Sequence, residues 1–230
     1  MIKGFRGTSL IDYPGKIASV IYTYLCNFRC PYCYNIELVV PEEYNKLEDL
    51  SEDFILQELS RRKGFIKGVV ITGGEPTLWG KRLINLIEKI YYEIGLPVKL
   101  DTNGSNPELI KTLFHREILD FLALDFKTSP KRYHEIGGDF KKVEKTLNLI
   151  RAKPEKVEIR ITFYPPLVSE KDLKEMIPYL KNFKLIAFQK YVPGKTLEKN
   201  DVSPYSQDFY EKAKNLFKEV LPEVEIIERI

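Results

Sequence analysis

Residues 17–35 read Ile17-Ala18-Ser19-Val20-Ile21-Tyr22-Thr23-Tyr24-Leu25-Cys26-Asn27-Phe28-Arg29-Cys30-Pro31-Tyr32-Cys33-Tyr34-Asn35. The first nine are mostly apolar and β-branched, a buried strand by length and composition. The rest form a turn-rich loop that holds every cysteine of the chain at C-x3-C-x2-C spacing, Cys26, Cys30 and Cys33. If the strand belongs to an open α/β sheet, this loop lies where chemistry gathers, beyond the carboxyl ends of the strands.

Iron–sulfur clusters normally take four cysteines, one for each iron of a cubane. Three leave one iron without a protein ligand, the counterpart of the open position that separates a catalytic zinc from a structural one. The loop therefore reads as the holder of one [4Fe–4S] cluster with a free iron. A disulfide would leave one cysteine over. Structural zinc would need a fourth ligand, which His115 or His134 could supply by folding. Inert buried thiols do not usually crowd a loop around a proline.

Downstream, strands and helices alternate. Ser51 caps a helix with Glu52 and Asp53 in its first turn, and Gly64 ends it. A strand over 67–72 runs into Gly73-Gly74-Glu75-Pro76, and a helical period over 80–94 closes at Gly95. Strand 96–100 leads to Asp101-Thr102-Asn103-Gly104, and helix 106–117 to strand 119–125. Then come Asp125-Phe126-Lys127, a helix near 139–152, strand 156–163 with Arg160 inside it, a helix over 169–182 and a strand over 185–188. A helix at 206–219 and the piece Val224-Glu225-Ile226-Ile227 finish the chain.

Six βα units in series imply a parallel sheet covered by helices. They are too few for a closed eight-stranded barrel. The expected fold is α/β, an open partial (β/α)6 barrel, with a short hairpin around Asp12-Tyr13-Pro14-Gly15 and a C-terminal helix and strand extension. No linker divides the chain, so one domain is expected over 1–230: a lead-in (1–16), the barrel core (17–190) and the extension (191–230).

Cys26, Gly73, Gly74, Glu75, Asp101, Asn103, Asp125, Lys127 and Gln189 all fall at or just after strand ends. Paired glycines let a ligand approach the backbone, and Glu75 suits an ammonium group. Asp101 and Asn103 suit sugar hydroxyls or a cation, though both are common turn residues. Asp125 with Lys127 could also be a plain ion pair.

Of the 230 residues, 43% are hydrophobic and 30% charged, and the net charge is +3. This is a globular composition. The absence of long Lys/Arg runs gives no reason to expect nucleic acid. No stretch approaches the roughly 18 apolar residues of a membrane span, and unpaired thiols suit a reducing compartment. A soluble cytoplasmic protein with no membrane contact is expected.

Together, the cysteine loop, Gly73-Gly74-Glu75-Pro76, Asp101-Thr102-Asn103-Gly104, Leu124-Asp125-Phe126-Lys127 and the lead-in Ser9-Leu10-Ile11-Asp12-Tyr13-Pro14-Gly15-Lys16 resemble the radical S-adenosylmethionine (SAM) superfamily. Within it they resemble the glycyl-radical-enzyme activases, above all those of anaerobic ribonucleoside-triphosphate reductase, with pyruvate formate-lyase activating enzymes as siblings. The resemblance implies that Cys26, Cys30 and Cys33 hold the cluster and that SAM chelates the free iron. It sets Tyr32 against the adenine and Gly73, Gly74 and Glu75 against the methionine ammonium. Asp101, Asn103, Asp125 and Lys127 hold the ribose and carboxylate end, with Arg160 and Gln189 close by. It further implies a monovalent cation near Asp101 and Asp125, with Thr102.

The implied activity is reductive cleavage of SAM and hydrogen abstraction from a glycine of a partner enzyme, with flavodoxin or ferredoxin as electron donor. Tyr34 and Gln189 stand where activases carry histidines. The alternatives are a pyruvate formate-lyase-type activase, a radical SAM enzyme acting on a small molecule such as a deazaguanine-type synthase, and a zinc-stabilised interaction module.

Overall fold

Burial of both faces marks the central strands, as parallel pairing demands. In the computed structural model, which describes residues 1–198 and 201–229, β2 (Ala18–Thr23), β3 (Gly68–Gly73) and β4 (Val98–Thr102) carry almost no exposed residue. β2 pairs parallel with β3 from Ala18↔Gly68 to Thr23↔Gly73, and β3 pairs with β4 through Val70↔Lys99. β1 (Ile2–Ser9) runs antiparallel to β2. Further along lie β5 (Phe121–Asp125), β6 (Val157–Phe163), β7 (Leu185–Lys190) and β8 (Glu225–Arg229), with β6–β7 and β7–β8 parallel. Hydrogen-bonded neighbours follow chain order from β1 to β8.

Two short helical turns, α1 (Ile36–Val39) and α2 (Pro41–Tyr44), follow the cysteine loop. The longer helices are α3 (Glu52–Arg62), α4 (Lys81–Glu88), α5 (Pro107–His115), α6 (Phe140–Ile150), α7 (Glu170–Met176) and α8 (Gln207–Val220). Each of α3 to α8 follows one of β2 to β7 in turn, so the six expected βα units are present and β8 is added after the last. This is the topology of the open partial barrel. Ser51 caps α3 by accepting from Phe54 N–H at 3.1 Å, and Ser169 and Asp172 form a capping box on α7.

Three expectations need adjustment. The hairpin is not confined to residues 1–16: its second arm is β2 itself. Ser9 Oγ donates to Asp12 and Tyr13 is buried, so the turn joins strands 2–9 and 18–23 with no room for another. The helix expected over 80–94 is α-helical only to Glu88, and residues 89–94 widen to a π-helix before left-handed Gly95. The irregular stretch after the cysteines contains α1 and α2. Within the extension 191–230, Lys199, Asn200 and Ile230 lie outside the described residues.

Contacts divide the chain into two compact units interleaved in sequence. The first comprises residues 1–27, 35–102 and 108–122. Its core includes Tyr13, Ala18, Val20 and Val70, with Tyr22 and Phe121 packed against them. The second comprises 28–34, 103–107 and 123–230, and is rich in aromatic contacts such as Phe163 with Phe188 and Tyr210. No helix among the described residues is long and apolar enough to cross a membrane.

Candidate cofactor site

In the first unit, the chain leaves β2 through Leu25, a non-glycine residue with φ 71°. This left-handed backbone is unfavourable for a branched side chain, and three hydrogen bonds sustain it. Leu25 N–H donates to Leu38 O at 2.8 Å, Glu75 N–H donates to Leu25 O at 2.6 Å, and Gly74 N–H donates to Thr23 O at 2.9 Å. Cys26 follows at once, so the paired glycines fix the exit of the cysteine loop. A Cβ on Gly74 would lie 2.0 Å from Leu25 O, and one on Gly73 (φ 126°) would lie 2.1 Å from Thr23 O. Only glycine permits this approach. Asn35 Nδ2 donates to Gly73 O at 3.2 Å, tying the far end of the loop to the same turn.

Glu75 is wholly buried. Its Oε1 accepts from Thr77 N–H (3.0 Å), Thr77 Oγ1 (2.5 Å) and Thr102 Oγ1 (2.8 Å). The carboxylate thus clasps the glycine turn to the end of β4. Next to Thr102, the Asp101 carboxylate pairs with Lys99 Nζ at 2.5 Å. Thr77 and Lys99 had no signal in the sequence beyond lying within two residues of Glu75 and Asp101.

In the second unit, Asp125 at the end of β5 receives Arg160 Nε at 2.7 Å and Lys127 Nζ at 3.0 Å. Burial alone would raise its pKa, but the two cations outweigh it and hold the carboxyl well below the ordinary range. Burial would likewise lower the Lys127 pKa; Asp125 reverses this and keeps the ammonium charged. Tyr133 Oη accepts from Lys127 N–H at 3.1 Å. Lys127 Nζ stands 5.9 Å from the Tyr32 ring centre, and Tyr32 packs on Tyr164 at 5.3 Å. The buried Tyr32 hydroxyl makes no well-formed hydrogen bond, though it lies near enough to Cys30 to favour the thiolate. Asn103 Oδ1 accepts from Ser105 N–H at 2.9 Å, an Asx turn, and Gln189 Oε1 accepts from Thr162 Oγ1 at 3.1 Å.

The cysteine loop has its own fastenings in this unit. Cys33 N–H donates to Cys30 O at 3.0 Å, Leu197 N–H to Cys33 O at 3.1 Å and Glu198 N–H to Pro31 O at 3.0 Å. The Tyr34 hydroxyl donates to Val192 O and accepts from Val192 N–H at 2.8 Å. The residue in place of a histidine therefore pins the segment after β7. Burial pushes the Cys30 thiol up to about 11, against the pull of Lys127, so ligation there releases a proton.

These residues fit the implied cluster and SAM. The donors are three cysteines outside any disulfide, and soft thiolates suit iron–sulfur centres. Among the described residues no three Cys, His, Asp or Glu side chains gather around a single ion; a cubane, taking one thiolate per iron, requires no such group. The implied monovalent cation fits less well. Asp101 already carries the Lys99 ammonium, and Asp125 carries Arg160 and Lys127.

The sequence profile described as the radical SAM superfamily matches residues 20–180. A candidate glycyl-radical enzyme activating enzyme of Methanocaldococcus jannaschii is 33% identical over 84% of this chain and 80% of its own. The pyruvate formate-lyase-activating enzyme of Clostridium pasteurianum is 27% identical over 90% of this chain and 87% of its own. Among solved structures, anSMEcpe with bound AdoMet and a peptide superposes with a TM-score of 0.59 at 20% identity, over 86% of this chain. This chain spans only 57% of that structure's length, and the likeness is one of fold.

Proposed function

We propose that this chain, which belongs to the radical SAM superfamily and to its glycyl-radical-enzyme activating group, serves an anaerobic ribonucleoside-triphosphate reductase. Its cofactors are one [4Fe–4S] cluster and SAM. Once bound and reduced by flavodoxin or ferredoxin, they supply homolytic cleavage of SAM and a 5′-deoxyadenosyl radical able to take hydrogen from a glycine Cα. The protein's part is to bind, orient and exclude water. Cys26, Cys30 and Cys33 hold the cluster. Gly73, Gly74 and Glu75 meet the methionine ammonium, and Glu75 Oε1 also fixes the glycine turn. Asp101, Asn103, Asp125 and Lys127 hold the ribose and carboxylate end, with Arg160 and Gln189 close by, and Tyr32 flanks the adenine.

The observation that carries the choice of partner is the lead-in Ser9–Lys16, whose pattern resembles that activase group. It folds as a turn held by Ser9 and Asp12, with Leu10 and Ile11 each 73% exposed. A pyruvate formate-lyase-type activity is the second reading, favoured by the similarity that runs over 90% of this chain.

The test is electron paramagnetic resonance of the anaerobic holoenzyme with SAM, reductant and either glycyl radical enzyme. A glycyl doublet on the reductase supports the proposal, and one on the formate-lyase alone moves it to the second reading. SAM cleavage with neither doublet overturns both and favours a small-molecule substrate.

A further inference from the structure

A lysine has no ordinary place on an apolar sheet face. Lys99 lies in β4, where strand alternation puts it on the same face as Asp101. Its register partner is Val70, whose own partner is Val20. Both valines belong to the core cluster with Tyr13 and Ala18. The Lys99 ammonium therefore belongs to a side chain rooted in a hydrophobic surface. The Lys99 side chain is 0% exposed and that of Asp101 is 7% exposed, with 2.5 Å from Nζ to Oδ1.

Such a pair is weak evidence of stabilisation. Desolvating two charges costs about as much as their attraction returns, and apolar replacements are often no worse. What it does secure is position. Asp101 is held, with its charge balanced, at the strand end where Thr102 donates to Glu75. A monovalent metal ion on a carboxylate would bring one positive charge and several directions of coordination. An ammonium brings the same charge and three donors, tethered so that it cannot diffuse away. Asp125 is equipped in the same way by Arg160 and Lys127.

We propose that Lys99 is a built-in cation: a positioning residue that neutralises and orients Asp101 from within the sheet, so that this chain binds SAM without a monovalent metal ion. The inference rests on Asp101 belonging to the SAM site and is independent of which glycyl radical enzyme is served.

The experiment uses reconstituted holoenzyme exchanged into choline chloride. SAM affinity is read from the spectral change of the reduced cluster while choline is replaced by K⁺ or Na⁺ at constant ionic strength. The wild-type affinity is expected to stay within about twofold across the series. Lys99→Met is expected to bind SAM about tenfold more weakly in choline, the scale of one charge-assisted hydrogen bond, and to recover with K⁺ or Na⁺. A purely structural lysine would give no such ion rescue. Lys99→Gln repeats the measurement if the methionine variant fails to fold, and the wild-type series decides if neither folds. A wild type that gains tenfold from K⁺, or a folded, cluster-loaded variant that binds SAM normally in choline, overturns the proposal. Partner radical formation plays no part in the readout, so failure here leaves the glycyl-radical reading untouched.

Discussion

Glu75 and Asp125 are both carboxylates at strand ends, yet they are held in opposite ways. In the first unit, three neutral donors from Thr77 and Thr102 converge on Glu75 Oε1. In the second, a guanidinium and an ammonium converge on Asp125. Hydroxyl and amide donors fix geometry without cancelling charge, which suits a turn that must keep paired glycines in register. Full cations fix both, which suits a strand end whose carboxylate would otherwise be driven to protonate by burial. Fold position alone therefore does not decide how a site carboxylate is stabilised; its near neighbours do.

The most severe way to break this contrast is Asp125→Asn, which leaves Arg160 and Lys127 facing a neutral amide. The expected loss is about 3–5 kcal/mol, as for other buried ion pairs that lose one partner, measured by chemical denaturation. The pH dependence has a defined sign. Because the folded pKa is depressed, the contribution of Asp125 is fully present above the unfolded carboxyl value of about 3.9. It fades as pH falls below that value toward the folded one. The gap between wild type and variant should therefore be constant near neutrality and narrow below about pH 4; a gap that widened on acidification would contradict the ion-pair account.

Gly74→Ala tests the first unit, since its new Cβ has only backbone at 2.0 Å to meet. A loss of about 2–3 kcal/mol is expected from overpacking, with lower iron retention because the turn sets the exit to Cys26. Thr102→Val removes one donor to Glu75 Oε1 and should cost about 1 kcal/mol. Equal stability in thermal melts would show that the clasp does not depend on it. Smallest of all should be Tyr32→Phe. Its hydroxyl lacks a well-formed bond, so unfolding is expected to shift by no more than about 0.5 kcal/mol, while packing on Tyr164 persists.

Much of the fold was readable because its signals are local. Ser51 with Glu52 and Asp53, Gly95 after an apolar period, and β-branched runs ending in polar residues each act within a few positions. The special residues at strand ends were readable for the same reason. What escaped depends on residues remote in sequence. Glu75 reads as a ligand for an ammonium group, but nothing near it in sequence shows that Thr102, 27 positions away, also donates to its Oε1. Arg160 resolves into a partner of Asp125 only once β5 and β6 are folded, 35 positions apart. Lys99 looked like an ordinary polar residue in a short strand, because nothing in its neighbourhood marks that face as buried. The π-turn at 89–94 kept the apolar spacing of an α-helix closely enough to be indistinguishable from one.

Leu197 and Glu198 fasten the cysteine loop through their main-chain amides. Any amino acid at those two places supplies the donor, with the single exception of proline, which has none. These two bonds therefore place no demand on side-chain chemistry at 197 and 198. A proline in either place would unbuckle the cysteine loop by removing one of the two donors.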